Sequence, residues 1–209
     1  VTAKALLDRY LSECPLIAII RGVTPAEAEA IGEAIFDAGI RIIEVPLNSP
    51  QPMESIAKLA AKFGDRALIG GGTVLKLEQV AEVEGAGGRL VVSPNTNVEV
   101  VAETAAAGLV SCPGYFTPSD AFDALEGGAT ALKLFPAEGA SPAMLKAQRA
   151  VLPRDVPVIV VGGIRPDNMQ PWLAAGANGF GLGGALYQPG QSPAETGDKA
   201  RAYVAGLRA

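Results

Sequence analysis

Histidine is absent from the 209-residue chain. That excludes Ser-His-Asp and Cys-His catalysis and any His-ligated metal site. Acid–base work near neutral pH then falls to a carboxylate, lysine, tyrosine, cysteine or water. Cysteine is nearly absent as well. Cys14 and Cys112 suit a reduced, cytoplasmic protein and read as small buried thiols rather than a redox pair. There is no basic block, and 17 basic against 22 acidic residues give a net charge of −5, so nucleic acid is not an expected partner. No apolar run approaches the roughly 18 to 20 residues of a membrane span. The segment VTAKALLDRYLSE sets charges among apolar positions and reads as a short amphipathic helix, not a signal peptide.

With 49% apolar and 19% charged residues, the chain has the composition of a soluble globular protein, and its length suits one domain over residues 1–209. Short β-branched runs alternate with helical segments. The expected strands are Leu16–Ile20, Ile40–Val45, Ala67–Gly70, Arg89–Val92, Leu109–Cys112, Thr130–Phe135, Val156–Val161 and Gly179–Leu182. Most are continuously apolar, as in parallel strands covered on both sides. Glycines 39, 108, 128 and 176 mark helix C-termini. Pro25, Pro50, Pro118, Pro142, Pro166 and Pro193 mark first turns of helices. Thr24-Pro25-Ala26-Glu27 and Ser192-Pro193-Ala194-Glu195 have capping-box spacing. The helix between the first two strands would bury Ala30, Ile31, Ala34, Ile35 and Ala38. Eight β-α units predict a (β/α)8 TIM barrel with a short N-terminal helix. The alternative is an open doubly wound sheet, against which the count of eight speaks. Barrels of this kind carry their chemistry at the C-terminal strand ends.

Two charges are lodged inside apolar strands. Lys133 sits in ATALKLFP, and burial of an ammonium lowers its pKa and makes it a nucleophilic amine able to form a Schiff base. The plain alternative is a lysine whose head reaches solvent at the strand end. Glu44 lies in IIEVPLNSP. Both strands are even-numbered, so the two side chains can share a barrel layer and face each other across the axis. A buried ion pair with no chemical role is the competing reading, but two ionisable chains at the active end of a barrel favour function. Gly162-Gly163 and Gly183-Gly184 follow the seventh and eighth strands, where barrels hold phosphate on backbone N–H groups. Gly70-Gly71-Gly72 would let backbone approach a small ligand closely. Arg21, at the end of the first strand, suits an anionic ligand or a loop cap. Thr73 either orients a carboxylate or caps the next helix. Tyr115 and Phe116 suit an interface, a lid or the substrate equally. Trp172 reads as outer-layer packing.

Taken in order, IRGVTPAEA, IIEVPLNSP, IGGGTVL, VSPNTN, CPGYFTP, ALKLFPAE, VVGGIRPDN and GLGGALY resemble the class I aldolases acting on 2-keto-3-deoxy-6-phospho sugar acids (the KDPG and KDPGal aldolases). The resemblance runs from about Pro15 to Pro189, at every strand end. It implies a (β/α)8 barrel, trimeric as a rule, that yields pyruvate and glyceraldehyde 3-phosphate without metal or other cofactor. It further implies Lys133 as Schiff-base residue and Glu44 as proton donor and acceptor. Arg21 and Thr73 would sit at the pyruvate half, and Gly162, Gly163, Gly183 and Gly184 in the phosphate loops. Many members have Ser where this chain has Gly184, so a hydroxyl contact to phosphate is missing here.

The gluconate-type enzymes often carry Arg and Thr after the strand-2 motif and Thr before the strand-7 glycines. Asn48 within Pro46-Leu47-Asn48-Ser49-Pro50, and Val161, resemble the galactonate-type branch instead. The resemblance thus implies cleavage of 2-dehydro-3-deoxy-6-phosphogalactonate. The gluconate epimer is the nearest rival substrate. A phosphosugar isomerase or epimerase would need Glu44 but no imine, and a phosphosugar-binding barrel would need neither.

Overall fold

A computed structural model describes residues 1–208. Helix α1 (Ala3–Glu13) comes first, followed by β1 (Leu16–Ile19), α2 (Ala28–Asp37), β2 (Ile42–Pro46), α3 (Pro52–Phe63) and β3 (Leu68–Gly72). Next come α4 (Leu77–Gly85), β4 (Leu90–Val92), α5 (Val98–Ala106), β5 (Val110–Cys112), β6 (Gly114–Tyr115) and α6 (Pro118–Glu126). The chain ends with β7 (Leu132–Leu134), α7 (Pro142–Arg149), β8 (Val158–Val161), α8 (Met169–Ala174), β9 (Gly179–Leu182) and α9 (Pro193–Gly206).

All strand pairs are parallel, in the order β5-β4-β3-β2-β1-β9-β8-β7-β6. The ninth strand corrects the expected count without changing the architecture. β5 pairs with β4 and β6 pairs with β7, so the two are halves of one stave broken at Pro113, which has no N–H for a ladder. Across the seam, the Ala131 N–H donates to the Ser111 carbonyl (3.0 Å) and the Lys133 N–H to the Pro113 carbonyl (2.9 Å). The ring closes on eight staves, a (β/α)8 barrel.

Strand boundaries move by at most two residues, and β3 runs on to Gly72 rather than stopping at Gly70. Gly71 and Gly72 pair with Val45 and Pro46 of β2. Neither glycine has a left-handed φ, so they extend the ladder instead of turning the chain.

One apolar core lies between staves and helices, including Ile43, Val45, Phe180 and Trp172. A second fills the barrel, where Ile17, Ile42, Leu68, Leu90, Val110 and Ile159 meet Leu6, Leu7 and Tyr10 of α1. Helix α1 therefore plugs the N-terminal end, and the Tyr10 hydroxyl donates to the Asp65 carbonyl at 2.6 Å. Leu6, Leu7 and Tyr10 of its apolar face are buried in the barrel.

The helix signals hold with local corrections. Pro118, Pro142 and Pro193 do open helices. Pro52, not Pro50, opens α3, and Pro25 and Pro166 precede their helices. In α2 the buried residues are Ala28, Ile31, Gly32 and Ile35, while Ala30 is exposed and Ala34 and Ala38 are half-buried. Each proposed capping box forms only half: Glu27 accepts from the Thr24 N–H, and Ser192 accepts from the Glu195 N–H. Gly39, Gly108, Gly128 and Gly176 all take positive φ where helices end. Among the described residues no helix is long and apolar enough to cross a membrane.

Candidate active site

Parallel staves bring all their C-terminal ends to the face opposite α1. A cavity of about 640 Å³ opens there, lined by Arg21, Thr73, Lys133, Val161 and both glycine pairs, Gly162-Gly163 and Gly183-Gly184. Glu44 and Asn48 are outside this lining, as are the strand-3 glycines, Tyr115, Phe116 and Trp172.

Lys133 is the middle residue of β7, held by ladder pairing to Gly114 and Ile159. It is 6% exposed, so it does not reach out into solvent. Its ammonium nitrogen lies 4.7 Å from the centroid of the Phe135 ring, a contact that no sequence signal marks. Glu44, 2% exposed, belongs to β2. Its Oε2 has no hydrogen-bond partner. A second, deeper void of about 10 Å³ is bordered by Glu44, Cys112 and Lys133 among apolar neighbours such as Ile17, Val92 and Ile159. That volume is on the scale of a single water. Lys133 and Val161 border both spaces, so Glu44 meets the large cavity through this void and past the lysine.

Burial disfavours both charges. It raises Glu44 to about 7, against the opposing pull of the Lys133 and Arg21 charges. It lowers Lys133, against the attraction of Glu44. In each case desolvation outweighs the mutual attraction. The lysine thus sheds its proton more readily than a free one, and the carboxyl can both hold and release a proton near neutrality. Burial also pushes the Cys112 thiol up to about 12, which makes it a neutral neighbour and no nucleophile. Cys14 is likewise a buried free thiol.

Arg21 follows β1, and its guanidinium donates to the Asn48 side-chain oxygen and to the Thr73 hydroxyl at 3.4 Å. Thr73 has φ +56°, a left-handed conformation that costs a non-glycine residue about 1–2 kcal/mol, and so it turns back to Arg21 rather than capping α4. Asn48 is joined to the cavity wall by its bond to Arg21.

Gly162 and Gly163 have φ +114° and +64°, a path for which glycine is suited. A side chain on Gly162 would stand 2.0 Å from the Glu138 carboxylate, which shares the cavity wall and has no mark in the sequence. Gly183 and Gly184 differ, since a side chain on either would meet nothing within 4 Å. A serine would fit at 184, so its absence removes a hydroxyl for no steric reason.

Two readings need correction. Gly70 and Gly71 face no ligand: a side chain on Gly70 would strike the Leu90 carbonyl at 1.9 Å, and one on Gly71 would strike Val83 at 2.6 Å. They let β4 and α4 pack close. Tyr115 is 2% exposed and its hydroxyl donates to Gln148 at 3.1 Å, so it is core rather than interface, lid or substrate contact. Phe116 packs partly buried against the same core.

Fold and site together define a (β/α)8-barrel enzyme built around a buried lysine–carboxyl centre. The model of the KDPG and KHG aldolase family matches residues 7–200, and the chain belongs to that family. It is 47% identical over 200 residues to the 2-dehydro-3-deoxy-6-phosphogalactonate aldolase of Escherichia coli (strain K12), covering 96% of this chain and 98% of that one. A native KDPGal structure superposes with a TM-score of 0.92 at 48% identity, over 94% of this chain and 95% of its own. KDPG aldolase from Legionella pneumophila, solved with pyruvate captured at low pH as a covalent carbinolamine intermediate, superposes with a TM-score of 0.85 at 27% identity, over 98% of each chain.

Proposed function

We propose that the chain cleaves 2-dehydro-3-deoxy-6-phosphogalactonate to pyruvate and D-glyceraldehyde 3-phosphate, with Lys133 as the imine-forming amine and Glu44 as the proton carrier. The observation that carries this reading is the buried Lys133 on the wall shared by the large cavity and the void that holds Glu44.

The neutral Lys133 amine adds to the C2 ketone to give a carbinolamine. Protonation of its hydroxyl and loss of water leave an iminium, the electron sink for the next step. Glu44, acting through the one-water void, supplies and recovers these protons. Glu44, now ionised, takes the C4 hydroxyl proton as the C3–C4 bond breaks, and the electron pair of that bond moves into the enamine. The aldehyde product leaves, C3 is protonated, and hydrolysis returns pyruvate and free Lys133. The family relative trapped with pyruvate as a carbinolamine supports the first of these steps.

The backbone N–H groups of Gly162-Gly163 and Gly183-Gly184 receive the phosphate, and the Arg21–Thr73–Asn48 cluster binds the anionic pyruvate end. Val161 and Asn48 tune the choice of epimer. The resemblance further supports a cytoplasmic homotrimer, with sedimentation as its measure.

Borohydride reduction in the presence of pyruvate, followed by mass spectrometry, tests the assignment. A reduced pyruvate adduct on Lys133 is expected and is lost in Lys133→Met. An adduct on another residue, or none, overturns the mechanism.

A further inference from the structure

Gly72 is a glycine without a backbone reason to be one. Its φ is not left-handed, it ends a regular strand, and its carbonyl accepts an ordinary 2.8 Å bond from the Leu47 N–H. What it lacks is room. A Cβ built there would stand 1.6 Å from Glu44 Oε2, 2.3 Å from Cδ and 2.6 Å from Oε1. All three carboxyl atoms of Glu44 therefore occupy the space that a side chain at position 72 would take.

The register explains the fit. Glu44 pairs with Gly70 and Pro46 with Gly72, so Glu44 and Gly72 lie on the same inward face. The glutamate has two methylenes with which to lean up the barrel, and its carboxyl comes to rest against β3. Held there, among the described residues it makes no ion pair with Lys133, and its Oε2 is left without a partner.

From this geometry we infer that Gly72 is a positioning residue for the lysine–carboxyl centre: the missing side chain is a berth that keeps the Glu44 carboxyl beside the water-sized void and out of contact with the Lys133 amine. Without the berth the carboxyl is driven off β3 towards the barrel axis, where Lys133 and Cys112 line the void. A contact ion pair there would hold Lys133 protonated and Glu44 ionised, which is the wrong protonation state for both partners. The inference rests on the lysine–carboxyl mechanism proposed above.

The test is Gly72→Ala, a substitution the backbone conformation tolerates, combined with Glu44→Asp in a double-mutant cycle. Gly72→Ala is expected to lower kcat by about 100-fold, the scale of a misplaced catalytic group, with KM nearly unchanged because the Arg21 and phosphate-loop contacts are untouched. In the wild-type background Glu44→Asp lowers kcat, since it draws the carboxyl away from the void. In the Gly72→Ala background the same shortening relieves the overlap and raises kcat. That reversal of sign is the signature of the berth. Equal losses from Glu44→Asp in both backgrounds, or a kcat unaffected by Gly72→Ala, overturn it.

Thermal melting across the pH range separates this inference from the aldolase reading. An ion-paired Glu44 ionises more easily, so the melting-temperature fall that Glu44 contributes between acid and neutral pH shrinks in Gly72→Ala, whether or not the chain turns over any substrate. If wild type neither cleaves the substrate nor forms the adduct, the aldolase reading fails while the melting comparison still decides the berth. Identical melting profiles for folded wild type and Gly72→Ala then refute it.

Discussion

Glu44→Gln should make the protein more stable relative to wild type as the pH rises, by an amount set by burial. In the folded state Glu44 is raised from 4.5 to about 7, and each pKa unit is about 1.4 kcal/mol. Below pH 4.5 the carboxyl is protonated in both folded and unfolded chains and contributes nothing to the difference. Between 4.5 and about 7 the unfolded chain releases its proton while the folded one keeps it. A raised pKa thus gives stability that is present in acid and lost as pH climbs through this window. The loss is about 3 kcal/mol once the folded group ionises. Glutamine does not titrate, so its stability relative to wild type grows by that amount.

For a chain of this size about 1 kcal/mol moves Tm by about 2–4 °C, so the gap between variant and wild type widens by about 6–12 °C from about pH 4.5 to about pH 8. Calorimetric or fluorescence melting of both proteins at the two pH values reads it directly, and other titrating groups cancel in the comparison. Lys133 is coupled to Glu44, so the pair is repeated in Lys133→Met. There the opposing attraction is gone, and the widening should be larger. Parallel Tm–pH curves in both backgrounds would refute the claim that desolvation dominates at Glu44.

Two further expectations concern the cavity walls. Gly162→Ala places a side chain at φ +114°, a strain of about 1–3 kcal/mol, and pushes the Glu138 carboxylate aside. KM for the phosphorylated substrate should rise about tenfold or more, while borohydride trapping of unphosphorylated pyruvate stays as in wild type. Equal damage to both would make the loop structural rather than phosphate-binding. Val161→Thr adds a hydroxyl beside Lys133 and should move the ratio of kcat/KM for the galactonate and gluconate epimers towards gluconate, by the about 1–3 kcal/mol of one hydrogen bond. An unmoved ratio removes Val161 from substrate choice.

Much of the site is legible in the sequence because a charge inside an apolar strand is rare and conspicuous. Lys133 and Glu44 each interrupt a run of otherwise buried residues, and their places on the second and sixth staves allow them to share one barrel layer. The glycine pairs at 162 and 183 are readable from their position after the last two staves. Phe135 and Glu138 escape such a reading because a hydrophobic residue at a strand end and an acid in a turn look ordinary in one dimension. The glycine triplet of the third strand misleads for the opposite reason: three conspicuous residues do three different jobs, and only the neighbours of each reveal which. Tyr115 follows a strand end and so suggests an interface, lid or substrate contact. The break at Pro113 instead carries the stave on and turns its side chain into the core.

The amino-acid sequence alone determined the alternation of eight strands with helices, the barrel they imply, the absence of imidazole chemistry and the two residues able to carry a Schiff-base mechanism. These follow from local rules, in which periodicity marks the buried face, glycine and proline mark the ends, and an isolated charge marks itself. The tertiary structure alone decided that α1 plugs the barrel, that the fifth stave is split, that burial outweighs attraction at Glu44 and Lys133, and that the Glu44 carboxyl rests in the space left by Gly72. Each of these depends on distances between residues far apart along the chain, which closure of the ring creates and no local pattern encodes.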